Sequence, residues 1–194
     1  MEQLELPTLL ARCRAGDDLA WEAFVRRFQG RLFGLACTYV DDRDEAADLT
    51  QEIFVRLFET RDRWAGGDEF IPWLIHVARN RSVDFLRRRR VRRPAISVQE
   101  DAGFQLPDHQ PDPESRTMAA SERTLLHTAL RGLSSLSREV LILRDVHGLS
   151  VQHVAATLGV PVGTVKSRAS RARVELIARV RALGGGAQTG VADP

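Results

Sequence analysis

Apolar residues recur along this chain at intervals of three and four, a period that predicts helices. Asp18 reads as an N-cap, and Phe24, Phe28, Leu32, Leu35 and Ala36 after it share one helical face. A second helix is predicted from about Glu45 to Phe58, with Ala46, Leu49, Ile53, Phe54, Leu57 and Phe58 as its apolar stripe. A third runs from about Phe70 into an arginine cluster, with Phe70, Leu74, Val77, Ala78 and Phe85 inward. Between these two, Arg61 to Asp68 holds Trp64 and the pair Gly66-Gly67, a loop signature. The second half reads as helices near 118–132, 136–146, 150–158 and 161–181, with Gly148 and Gly159 where C-caps or tight turns belong. No stretch carries the alternating pattern of a strand, so the fold class is all-α.

Residues 94–121 break the pattern. Four prolines lie in this stretch or at its edge (Pro94, Pro107, Pro111, Pro113), and Phe104 is its only aromatic. Too little apolar area is available there to offset the entropy of ordering. It reads as a linker between an N-terminal domain over 1–93 and a C-terminal domain over 122–183, both of a size usual for small helical domains. The glycine-rich tail over 184–194 is expected to be disordered.

Composition then sets limits. With 43% apolar and 28% charged residues in 194, the chain is neither a membrane protein nor disordered throughout. No apolar run is long enough to span a bilayer, and Met1-Glu2-Gln3 begins no signal peptide, so a cytoplasmic location is expected without membrane insertion. Cys13 and Cys37 form no C-x-x-C pair and read as small packing residues. The formal charge of +2 conceals a strong pattern. Residues 41–62 carry −5, 63–93 carry +6, 94–121 carry −4 and 122–181 carry +6. Local charge of this size attracts phosphate even where the total is near zero.

Three stretches carry candidate chemistry. Residues Leu149 to Arg168 have helix-turn-helix logic: Ser150 caps a short helix, Val151, Val154, Ala155 and Leu158 face inward, Gly159 turns, and Pro161 starts the next helix. Val162 and Val165 are expected to anchor that second helix. Its outward side bears Thr164, Lys166, Ser167, Arg168, Ser170, Arg171 and Arg173, a mixture suited to phosphates and base edges. Arg168, Arg171 and Arg173 cannot all face bases; some must touch phosphate or acidic neighbours. In the N-terminal domain, Asp44, Asp48, Gln51, Glu52 and Val55 form a ridge opposite the apolar stripe of their helix. The helix that follows has a second face of Trp73, His76, Asn80, Asp84 and Arg87 and ends in six arginines within seven residues, 87–93. With Trp64 nearby, that face offers stacking surfaces, an amide and cations for unpaired bases. An acidic ridge beside a basic helix in one small domain suits two different partners.

Taken together, Asp48-Leu49-Thr50-Gln51-Glu52-Ile53-Phe54, Trp73-Leu74-Ile75-His76-Val77-Ala78-Arg79-Asn80 with Asp84 and the arginine run, and Pro161 to Arg168 resemble the extracytoplasmic-function (ECF) group of the bacterial sigma-70 family. The resemblance covers about residues 10–93 and 120–181. It implies a sigma region 2-like helical bundle and a region 4-like helix-turn-helix. Asp48, Gln51, Glu52 and Val55 would then dock on the clamp helices of the largest RNA polymerase subunit, with the flap of the second-largest subunit as a further contact. Trp64, Phe70, Trp73, His76, Asn80, Arg87, Arg88 and Arg90 would hold the −10 promoter strand. Thr164, Lys166, Ser167, Arg168, Ser170 and Arg171 would meet the −35 element. The acidic linker would thread through polymerase, and an anti-sigma factor would regulate the whole.

The alternatives are a helix-turn-helix regulator acting without polymerase, which leaves the acidic ridge unexplained, and an enzyme. The five histidines (His76, His109, His127, His147, His153) show no metal-ligand spacing, Ser134-Ser135 lacks a nucleophile-elbow context, and no phosphate-binding glycine loop occurs. No catalytic residue, metal or cofactor is therefore expected.

Overall fold

Helix α1 (Leu6–Arg14) opens the fold with a proline in its first turn and buries Leu9, Leu10 and Cys13. The periodicity above did not reveal it, because nine residues with only three inward positions are too short to stand out. The computed structural model describes residues 4–40, 42–64, 66–92 and 125–185. The expected linker and the tail beyond residue 185 lie outside these residues. The chain divides into two compact units, Met1–Pro107 and Asp108–Pro194.

In the first unit, α2 (Asp18–Ala36) is capped by Asp17, whose carboxylate accepts from the Ala20 N–H at 3.0 Å. Asp18 is thus the first helical residue and not the cap. That backbone hydrogen bond, and then the Arg12 guanidinium at 2.6 Å, hold the Asp17 carboxyl below its ordinary range. Helix α3 (Arg43–Glu59) is capped by Asp42, which accepts from the N–H groups of Asp44 and Glu45. Two short 3₁₀ turns, Arg61–Arg63 and Gly67–Glu69, lead into α4 (Phe70–Arg92). The core is aromatic: Phe24 stacks on Trp64 with centroids 4.7 Å apart and on Trp21 at 5.2 Å, and Phe28 and Phe70 close the cluster. Buried Ser82 and Thr50 satisfy their hydroxyls on the carbonyls of Ala78 and Ala46. Burial raises the thiol pKa of Cys13 and of Cys37, which leaves both as inert packing groups.

In the second unit, residues 125–131 form α5, followed by α6 (Ser135–Leu141), a π-turn (Ile142–Val146), α7 (Val151–Leu158) and α8 (Val162–Gly185). The part of the expected helix over 118–124 lies outside the described residues. Arg138 closes the end of α5, donating to the carbonyls of Leu130, Arg131 and Leu133. Leu133, Leu141 and Ala172 pack together with Leu130 and Leu176 against them. Helix α8 extends to Gly185, beyond the end expected near residue 181. Among the described residues there is no strand, and no helix is long and apolar enough to cross a membrane.

Candidate docking and nucleic-acid surfaces

The helix-turn-helix forms as its residues require. Ser150 Oγ accepts from the His153 N–H at 3.1 Å and caps α7. Gly159 takes φ +67° at the turn, a conformation that side chains with a Cβ adopt only at a cost. Val154 and Ala155 from α7 and Val165, Ala169 and Ala172 from α8 are buried, and the one valine and two alanines of α8, at spacings of four and three, keep one side of it on the core. Val162 departs from expectation: it is 37% exposed and does not anchor the helix, because it sits one residue into α8 before the inward register begins at Val165.

The opposite side of α8 is open. Lys166, Ser167, Ser170 and Arg171 are exposed, and Thr164 and Arg168 are half-buried. Arg171 folds back on Ser167, its Nε and Nη2 each 3.3 Å from that residue's carbonyl and hydroxyl oxygens. Arg173 leaves the set of free cations. It grips Asp145 of the π-turn with two hydrogen bonds, Nε–Oδ2 at 2.9 Å and Nη2–Oδ1 at 2.6 Å. Arg173 holds the Asp145 carboxyl below its ordinary range, first by hydrogen bonding and then by charge. Sequence reasoning missed this pair because a separation of 28 residues gives no periodic signal.

The first unit places the ridge on α3. Asp44, Asp48 and Gln51 are exposed and Val55 is 58% exposed. Glu52 is different. Its side chain retains 33% exposure, and its Oε2 receives both Arg81 at 2.9 Å and Arg88 at 2.6 Å from α4. Glu45 receives Arg89 at 2.9 Å. The order of these pairs runs α3 and α4 antiparallel, and the signal was present: Glu45 and Glu52, like Arg81 and Arg88, are seven residues apart, hence two turns along one face. A cleft of about 360 Å³ lies between the helices, lined by Glu52, Val55 and Arg56 of α3 and by Val77, Asn80 and Asp84 of α4, among others.

The expected nucleic-acid residues divide in two. Trp64 and Phe70 are 5% and 0% exposed, so neither ring has a face open to a base. They stand in the aromatic core because the loop that carries them folds back over α2. The Trp64 indole N–H donates to the Leu57 carbonyl at 3.0 Å, and Arg14 of α1 donates to the Trp64 carbonyl at 2.6 Å. Trp73 is half-buried on the edge of that core, its centroid 6.1 Å from Phe70. His76 and Asn80 are exposed one turn apart and joined at 2.9 Å between Nε2 and Nδ2. Arg87 is exposed, Arg88 is engaged by Glu52, and the Arg90 side chain lies outside the described residues.

Two helical units, one of them a basic helix-turn-helix and the other bearing an acidic and a basic helix side by side, define a DNA-binding protein with a second macromolecular partner. The comparisons give that class its family. Residues 24–92 match the family model of sigma-70 region 2, and residues 123–176 match that of sigma-70 region 4. The RNA polymerase sigma-H factor of Pseudomonas aeruginosa is 33% identical over 170 residues, spanning 85% of this chain and 88% of that one. The ECF RNA polymerase sigma-E factor of Escherichia coli K12 is 30% identical over 188 residues, spanning 94% and 97%. Among solved structures, the sigma factor RpoE of Bartonella quintana, in complex with the anti-sigma factor NepR, is similar with a TM-score of 0.65 and 25% identity over 84% of this chain and 96% of that one. CnrH, in complex with the cytosolic domain of CnrY, is similar with a TM-score of 0.64 and 25% identity over 91% and 97%. The chain belongs to the ECF group of the sigma-70 family. It is a promoter-specific initiation factor that binds RNA polymerase, and not an enzyme. A regulator acting without polymerase would leave the region 2 match without a role.

Proposed function

We propose that the first unit docks on the polymerase clamp helices through Asp48, Gln51, Glu52 and Val55 of α3 and holds the −10 strand on α4 through Trp73, His76, Asn80 and Arg87. The second unit sets the start of α8 in the major groove of the −35 element, where Lys166, Ser167, Ser170 and Arg171 meet phosphates and base edges and Thr164 and Arg168 flank them. The flap of the second-largest subunit holds the same unit. Trp64 and Phe70 act from beneath, fixing the loop and seating Trp73. The residues before Pro94 and after Ser121 work as the two functional domains, joined through 94–121, and the factor acts in the cytoplasm. The observation that carries this reading is the opposite charge of the exposed α3 ridge and the exposed end of α4 within one small unit.

The energetics are consistent with melting without nucleotide hydrolysis. Breaking a stacked step costs roughly 1.4 kcal/mol, and one base stacked on an aromatic ring returns roughly 1–3 kcal/mol. A single half-open tryptophan therefore offsets about one step, and the rest falls to the cations and to polymerase. The likeness to the sigma factor RpoE solved with the anti-sigma factor NepR supports an anti-sigma partner that covers the α3 ridge or the outward face of α8.

Run-off transcription with core polymerase on a genomic promoter library tests the reading. The wild type is expected to direct initiation, and Asp48, Gln51 and Val55 changed together to alanine to lose core binding. Lys166→Ala is expected to weaken −35 binding across sequences and to lower the salt slope by about 1. Core binding by the triple variant equal to wild type would remove α3 from the interface.

A further inference from the structure

Glu52 stands where the two surfaces of the first unit meet. One of its carboxylate oxygens serves two guanidiniums of α4, and the cleft it lines also holds Asn80. The same carboxylate belongs to the ridge assigned above to polymerase, and Arg88 belongs to the run assigned to DNA. While each group serves the other, part of its charge and hydrogen-bonding capacity is taken up inside the unit. We propose that Glu52 withholds Arg88 from nucleic acid in the free factor, and that a cation of polymerase, by taking over the Glu52 carboxylate on docking, releases Arg88 to the DNA backbone. The inference rests on the assignment of α3 to polymerase and of the end of α4 to DNA.

Exposure and neighbouring charge select Arg88 as the group that leaves, although its contact is the shorter, 2.6 Å against 2.9 Å for Arg81. A third cation at one carboxylate crowds like charges within a few ångströms, and the more exposed guanidinium, which water rehydrates more readily, is displaced. Arg81 is the less exposed of the two, at 33% against 43% for Arg88, and lines the cleft together with the acids Asp84 and Glu59, whereas Arg88 is not among its lining residues. Arg88 is followed at once by Arg89, which is tied to Glu45, and is flanked by exposed Arg87. Repulsion from these neighbours favours departure once its counter-ion is shared. The exchange makes DNA contact conditional on polymerase docking without any change of fold.

The test is fluorescence anisotropy of the full-length factor, without polymerase, on a fluorescein-labelled oligo-dT single strand over a range of salt. Glu52→Gln keeps the shape of the side chain and removes its charge. It is expected to tighten binding about three- to fivefold, the equivalent of one partly exposed ion pair. The salt dependence should steepen by about 0.7 in log–log slope, one added phosphate contact on a single strand. Adding Arg88→Gln is expected to abolish both effects. Asp48→Asn removes the same charge one turn away, where no cation is paired with it among the described residues, and sets the size of the unspecific effect. Glu52→Gln binding no tighter than Asp48→Asn, or tightening that survives Arg88→Gln, overturns the proposal. Core binding measured on the same variants separates the two readings: loss of core affinity in Glu52→Gln without a gain in DNA affinity sinks the exchange alone, and unchanged core affinity in both acidic variants sinks the docking assignment beneath it.

Discussion

The two units bury different side chains and treat their functional residues differently. Every aromatic residue except Phe104 lies before residue 86, and the described part of the second unit contains no Phe, Tyr or Trp. The first unit builds its core by stacking rings, so its loop and its functional helix share one rigid cluster around Trp64. The second builds its core from alanine, valine, leucine and isoleucine and leaves Lys166, Ser167, Ser170 and Arg171 of α8 exposed. Charge follows the same division. In the first unit the acids of α3 and the arginines of α4 neutralise one another along the seam. In the second, Arg173 of α8 is tied across the fold to Asp145. On the reading proposed above, the surface that changes partners is kept in internal pairs, and the surface that reads a groove is kept open.

The sharpest way to break this comparison is Trp64→Ala. If Trp64 is core, as its burial states, the substitution costs about 3–5 kcal/mol. All three tryptophans lie in the first unit, so the fluorescence of the remaining two reports that unit, while far-ultraviolet circular dichroism reports both. Chemical denaturation is expected to show an early fluorescence transition with the helical signal of the second unit retained. A fluorescence midpoint equal to wild type would return Trp64 to the DNA surface. Gly159→Ala is the counterpart in the second unit. A Cβ at φ +67° costs about 1–2 kcal/mol, and the loss should appear in circular dichroism with the fluorescence midpoint unmoved. Transitions that shift together in both variants would show that the units unfold as one.

The smallest expected effect sharpens the electrostatic half. Asp145→Asn removes a partly exposed pair and is expected to cost about 0.2–1 kcal/mol. Because the folded pKa of Asp145 is lowered, its contribution is present above the ordinary carboxylate range and is lost as pH falls through the folded value. The difference in stability between wild type and variant should therefore be constant near neutrality and close below about pH 4. A difference that persists in acid would assign the effect to packing. Weaker −35 binding by the variant would further mark the pair as what holds α8 in register.

Legibility also differed between the units. The helix-turn-helix was readable almost residue by residue, since its cap, its turn glycine and its inward positions are all local in sequence. Val162 was misread because only packing decides where an inward register begins. In the first unit the charge blocks and the face of His76 and Asn80 were legible. Helix α1 was not, and with it went the Arg14 contact that pins the Trp64 loop. Trp21, which completes the aromatic cluster from α2, was missed because an aromatic at helical spacing looks alike whether it fills a core or offers a face.

Period, caps and charge blocks are properties of neighbouring residues. The chain by itself therefore determined the all-helical class, the helix-turn-helix, the opposed charges of α3 and α4, and with them the family. Burial and ion pairing depend on which distant residues share a site. Only the tertiary structure decided that Trp64 and Phe70 face inward, that Arg173 belongs to Asp145, and that Glu52 holds two arginines from a helix some thirty residues away.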